Sequence, residues 1–223
     1  MAKTATPYGL KPIGQVGSAP YSGGTVRGYR VTTNNTYAIY TNGWVTMNAG
    51  VIDGAGAVAP ISTLDNVAPS ATQTPLGVVT GVQYTDPTLK YSLWGQYLPE
   101  GAITAGYTNV IVYVITDPRQ LYMVQVDGSA NTTLPRLLIG KNMNLNVPSV
   151  VTATGLSSMA GIASTIAATI TFPLRIVDVV NAVSLFGGGI PDSVAENAAT
   201  LTYTDYIVQW NHRTLSCQLQ TGV

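Results

Sequence analysis

Charge is scarce in this sequence. Charged side chains make up 9% of its 223 residues, and the ten basic and ten acidic groups cancel. An average soluble protein carries about 25%, and a freely dispersed one usually has net charge to keep copies apart. So little charge disfavours a nucleic-acid binder, which needs a dense array of cations against phosphate. It also disfavours disorder, because the 46% hydrophobic content is the opposite of the disordered signature.

Cysteine and histidine are almost missing. Cys217 is the only cysteine, so no intramolecular disulfide framework can form. His212 is the only histidine, and any Ser-His-Asp or Cys-His set would have to use it. Five residues separate it from Cys217, which on a strand means opposite faces about 17 Å apart. No cluster supplies the four ligands of a zinc site. Gly140-Lys141-Asn142 lacks the spacing and the hydroxyl of a phosphate loop. The glycines of Gly187–Asp192 do not have dinucleotide-turn spacing. No apolar run approaches the roughly 18 residues of a membrane span. The opening MAKTATPYGLKPIG has no apolar segment of the secretory kind, so synthesis in a cytoplasm is expected. No catalytic residue, cofactor or metal is expected, and neither an enzyme nor a membrane protein.

What is present reads as β structure. A chain of this length buries roughly 70% of its extended surface, enough for a core without staples. Short runs rich in Val, Ile, Thr and Tyr recur between turn signals, the pattern of a sandwich or barrel. Candidate strands begin with VRGYRV near Val26. TYAIYTNGWVTM follows, with Asn42-Gly43 as a tight turn. Others span 77–84, 90–96, 110–115, 121–126, 170–180 and 201–210. Pro173 argues for an edge or bulge. Ser193 and Glu196 have capping-box spacing, giving one short helix near 193–199. The alanine-rich LSSMAGIASTIAA is read as loop and strand, for want of a cap. The fold class expected is all-β: a sandwich or barrel-like domain with an extended N-terminal arm and at most one or two short helices.

The segment TNVIVYVI, which ends at Ile115, raises a question of cover. Val110, Val112 and Val114 fall on one face of a strand; Ile111, Tyr113 and Ile115 fall on the other. Both faces are apolar, so a second layer, a neighbouring subunit or both should cover them. Ile111, Tyr113 and Ile115 are therefore the candidate subunit-interface strand. Thr-Asp-Pro-Arg-Gln at 116–120 reads as the turn of a hairpin pairing Val110–Ile115 with Leu121–Val126. Thr-Asp-Pro also stands at 85–87, as a duplicated unit or as one turn chemistry used twice.

The N-terminal residues differ from the rest. Residues 1–52 carry four basic groups and no acid, while 53–223 hold six basic against ten acidic. Proline and glycine alternate through residues 1–24, which disfavours a regular element. This arm, residues 1–25, is expected to be extended and poorly packed on its own domain. It would reach a partner through Lys3, Tyr8, Leu10, Lys11, Ile13 and Tyr21 by adding to a partner's sheet edge. Residues 26–223 form the β-rich domain, or two β subdomains if the stretch near 128–136 is a linker.

Four stretches in order, ATPYGLKPIGQVGSAPYSGG at 5–24, PLGVVTGVQY at 75–84, VYVITDPRQLYMVQVDG at 112–128 and FPLRIVDVV at 172–180, resemble the capsid decoration, or cement, proteins of tailed bacteriophages. The resemblance spans about residues 5–213. It implies a β-rich virion protein on the outer surface of the capsid, reinforcing capsomer junctions. Its partners would be the major capsid protein and further copies of itself, as a trimer in preference to a dimer. The longer stretch 60–75 and the segment 187–193 depart from the simplest members of that family. Two other readings stay open. One is a phage carbohydrate-binding or host-recognition β-domain, using Trp44, Trp94 and Trp210 as stacking surfaces; the other is an unrecognised hydrolase.

Overall fold

The computed structural model describes residues 5–17, 26–31, 38–47, 61–63, 75–128, 135–146, 155–180 and 203–211. These residues form antiparallel sheets with almost no helix, and the sheets do not close into a barrel. The expected all-β class is therefore observed, as an open, sandwich-like arrangement.

The first sheet has five strands. Its central strand β13 (Asp205–Trp210) lies between β10 (Gln120–Gln125) and β12 (Leu174–Val179); β1 (Lys11–Gln15) and β11 (Asn142–Met143) form the edges. The second sheet has the order β2 (Val26–Arg30), β9 (Thr108–Ile115), β6 (Pro75–Thr85), β4 (Trp44–Met47), β5 (Ile61–Thr63). In it the long β6 pairs along one side with β9; its other side is shared by β4 near Gly77 and by β7 (Ser92–Gly95) near Gln83. A small third sheet pairs β3 (Ile39–Tyr40) with β8 (Tyr97–Leu98). The Asn42-Gly43 turn exists, with the Gly43 N–H donating to the Tyr40 carbonyl at 3.1 Å. The strands on either side of it enter different sheets.

Adjacent residues on a strand point to opposite faces, and the second sheet uses this to serve two cores. Trp44, Val78 and Ile115 face a first cluster shared with Tyr122, Val124, Ile176, Val208 and Trp210 of the first sheet. Val45, Val79, Val110, Val112 and Val114 face a second cluster. Ile39, Leu98 and Ala102, from the small sheet and the segment after it, close that second cluster. The question raised by β9 is answered within the chain. One face is covered by the small sheet, and Ile115 on the other face is covered by the first sheet. Ile111 and Tyr113 stay half-buried.

The expected hairpin across Thr116–Gln120 is overturned: β9 belongs to the second sheet and β10 to the first. The turn chemistry was read correctly, since Asp117 Oδ1 accepts the Arg119 N–H at 2.8 Å. The topology was not, because both edges of β9 are taken by β2 and β6, and both edges of β10 by β1 and β13. Asp117 Oδ2 also accepts Gln15 Nε2 at 2.6 Å, and Gln120 Nε2 donates to the Gly14 carbonyl at 2.7 Å, so β1 clamps the crossing.

The other Thr-Asp-Pro does make a hairpin, with Thr85 opposite Ser92. There the Asp86 carboxylate accepts the Thr88 and Leu89 N–H groups at 2.7 and 2.9 Å. Those bonds, first that of Leu89 and then that of Thr88, hold the carboxyl below its usual pKa. One turn chemistry thus serves two topologies, which argues against a duplicated unit.

The alanine-rich stretch, expected as loop and strand, is loop with isolated bridges at Leu156, Gly161 and Ala167 and a 3-10 turn at Ala163–Thr165; the strand part of that expectation is corrected. Thr165 Oγ1 donates back to the Ile162 carbonyl at 2.7 Å, the local competition that makes such residues poor helix formers. A second 3-10 turn spans Pro135–Leu138, and the chain enters a ladder only at β11. Pro173 immediately precedes β12, and the strand carries a bulge between Ile176 and Asp178. The short helix expected near 193–199 lies outside the described residues.

Candidate contact surfaces

The arm expectation is corrected over residues 5–17. Leu10 is fully buried in the first cluster. The Leu10 N–H donates to the Asn42 carbonyl at 2.8 Å, and the Gly9 N–H to that of Met159 at 3.2 Å. Thr6 N–H donates to Gln125 Oε1 at 2.8 Å. From Lys11 the chain enters the β ladder with β10, bulging between Pro12 and Gly14. The segment is extended, but it adds to its own sheet. The physical reason is that β10 offers an unfilled edge and the first core a slot for Leu10, both within the same chain.

Tyr8 is likewise an internal anchor, its hydroxyl donating to Asp205 Oδ1 at 3.0 Å. Lys11 is exposed, and so are Ile13 and Val16. Lys3 and Tyr21 lie outside the described residues. Of the candidate interface strand, Ile115 is core and is withdrawn as a subunit contact. Ile111 and Tyr113 remain on a half-open face. The Tyr113 hydroxyl donates to Gln83 Oε1 at 2.8 Å.

Burial first, and then the charge of Asp205 and the bond to it, push the Tyr8 phenol well above its ordinary value. Burial does the same to Tyr206. A raised folded-state pKa means the contribution to stability is complete below the unfolded value of 10.0. It is lost as pH rises past that value, because the unfolded chain then releases protons that the folded chain holds. We therefore expect the denaturant midpoint to hold up to about pH 9 and to fall as the pH passes about 10, and Tyr8→Phe to flatten that fall. A midpoint that is constant across the range, in both proteins, contradicts this account.

Large apolar side chains stand exposed in two groups besides β1. The first follows the β12 side of the first sheet: Leu137 and Ile139 at and after the 3-10 turn, Ile170 before the strand, and Val177 at its bulge. Leu137 is 65% exposed while its neighbour Leu138 is buried. The second group, Leu89, Tyr91 and Trp94, belongs to the β6–β7 hairpin. The three tryptophans separate sharply. Trp44 and Trp210 stack on each other in the core with ring centroids 5.7 Å apart; Trp94 is 62% exposed.

Sequence reasoning missed Leu137 and Ile139, because Leu-Leu-Ile reads as a strand while Pro135 starts a 3-10 turn that splits the two leucines. Trp94 was identifiable as an aromatic but not as an exposed one. Among the described residues no group of three or more His, Cys, Asp or Glu could hold a metal ion. Likewise, no helix there is long and apolar enough to cross a membrane. His212 and Cys217 lie outside the described residues. No family model, curated protein or solved structure matches this chain.

Proposed function

We propose that this protein is a structural component of a tailed-bacteriophage virion, binding the outer surface of the capsid and reinforcing the junctions between capsomers. The observation that carries the reading is the exposed group Leu137, Ile139, Ile170 and Val177 beside β12, in a chain with 9% charged residues. Large apolar side chains left exposed on a folded β body suit a surface that a partner covers. Low charge removes the electrostatic term that would otherwise keep such surfaces apart. The four ordered stretches that resemble capsid decoration proteins support the same reading. The major capsid protein is the partner, and self-association on the shell is part of the role.

The test is occupancy of undecorated shells. The double variant Leu137→Asp with Val177→Asp should bind shells at least about tenfold more weakly, because two charges must be desolvated at the contact. Its melting temperature should stay near that of the unaltered protein, since both positions are exposed. Equal occupancy by the two proteins, or no binding by the unaltered one, rules the proposal out.

A further inference from the structure

The outer face of the second sheet around Trp94 has a second chemistry. The registers place Trp94, Gln83, Ile111 and Arg30 in one row across β7, β6, β9 and β2. Gly81, Tyr113 and Gly28 make the next row. Tyr113 is thus flanked by two residues without side chains. The Trp94 indole lies over Gly81: a Cβ there would sit 2.7 Å from Cζ2 and 3.2 Å from Nε1 of the ring. Gly81 is buried although its own side chain is a hydrogen, because the indole roofs it. The Tyr113 ring supports the indole, centroid to centroid 4.5 Å at 41°. One side of the indole is seated on the sheet and the other faces water.

Neutral polar groups surround this surface and are already oriented. Gln83 accepts the Tyr113 hydroxyl at 2.8 Å and donates from Nε2 to Ser92 Oγ at 3.0 Å. Asn109 Nδ2 donates to Thr85 Oγ1 at 3.3 Å. The Gln83 amide keeps a second N–H, and the Ser92 and Thr85 hydroxyls keep bonding capacity. Arg30 is the only charged residue of the two rows.

From this arrangement we infer that the Trp94 face is a carbohydrate-binding shelf for a pyranose ring of a neutral glycan. A pyranose presents an apolar C–H face, which packs on an aromatic plane by burial and dispersion. Its equatorial hydroxyls leave the ring edge, where fixed amides and hydroxyls can meet them. Nucleic acid is a poor occupant, since stacking there comes with a groove of cations along the backbone. A protein partner is also a worse fit. Protein hot spots are aromatic anchors that enter fully desolvated pockets, whereas this indole is itself an exposed floor with the Gln83 amide opposite it on the neighbouring strand. The inference is independent of the capsid proposal and uses a different surface.

The experiment is a screen of full-length protein on an array of neutral hexose and N-acetylhexosamine oligosaccharides, followed by titration of the bound glycan. Tryptophan emission should shift to the blue on binding, because Trp94 is the exposed one of the three. Trp94→Ala should weaken binding at least about tenfold and abolish the emission change, as removal of a stacking partner does. Gly81→Ala should weaken it as well, by lifting the indole off the sheet. That variant should still fold, since the added methyl meets only the far end of a flexible side chain. Both variants should occupy undecorated shells like the unaltered protein if shells are bound at all. Three outcomes overturn the inference: no glycan held by the unaltered protein, equal binding by Trp94→Ala, or an effect of Trp94→Ala on oligomeric state alone.

Discussion

Deleting residues 2–17 is expected to abolish the folded protein at room temperature. The deletion removes the whole edge strand β1 and its ladder with β10. It also removes Leu10, which has no exposed surface, and the Tyr8 bond to Asp205. A buried leucine reduced to alanine costs about 2–5 kcal/mol by itself. A domain of this kind has about 5–15 kcal/mol in total. Loss of the strand also uncovers Gln120, whose amide is buried and donates to the Gly14 carbonyl. Circular dichroism melts of full-length and truncated protein decide the matter. Leu10→Ala, folded but melting lower, is the milder companion. A truncated protein that melts cooperatively at the unaltered temperature would restore the free-arm reading.

The second large effect is at β9. Val112→Asp should destabilise by at least about 4 kcal/mol, the scale of an uncompensated buried charge. Val112 has no exposed surface, lies between β2 and β6, and faces a cluster made entirely of hydrophobic side chains. Ile111→Asp, one residue away on the other face, should cost less than about 1.5 kcal/mol, because that position is half open to water and the carboxylate can stay hydrated. Urea denaturation of the two variants measures the contrast. Equal losses would mean that both faces of β9 are core; two small losses would mean that neither is.

The contrast between these neighbours also marks how far local sequence could be read. Alternation along TNVIVYVI identified the strand and the Val110–Val112–Val114 face. It could not separate Ile115, which is core, from Ile111 and Tyr113, which are not. That difference arises where the first sheet stops overlapping the second. Similarly, Thr-Asp-Pro was legible twice as a turn, because Asp bonds to nearby backbone N–H groups wherever it stands. Only the competition for strand edges made one turn a hairpin and the other a crossing. The contact surfaces were less legible still. Leu138 and Leu137 are adjacent and chemically identical, and a 3-10 turn buries the first and exposes the second.

By itself the sequence determined an all-β chain: β-branched and aromatic runs punctuated by Gly, Pro, Asn and Asp are local signals, and local signals act through the backbone of a few residues. The tertiary structure decided which edge each strand pairs with. It packed residues 5–17 onto their own domain, with β1 in the first sheet, and it left Trp94 outside while stacking Trp44 on Trp210. These outcomes depend on residues far apart in the chain meeting at one place. Burial is a property of that meeting, and it is not carried by any residue alone.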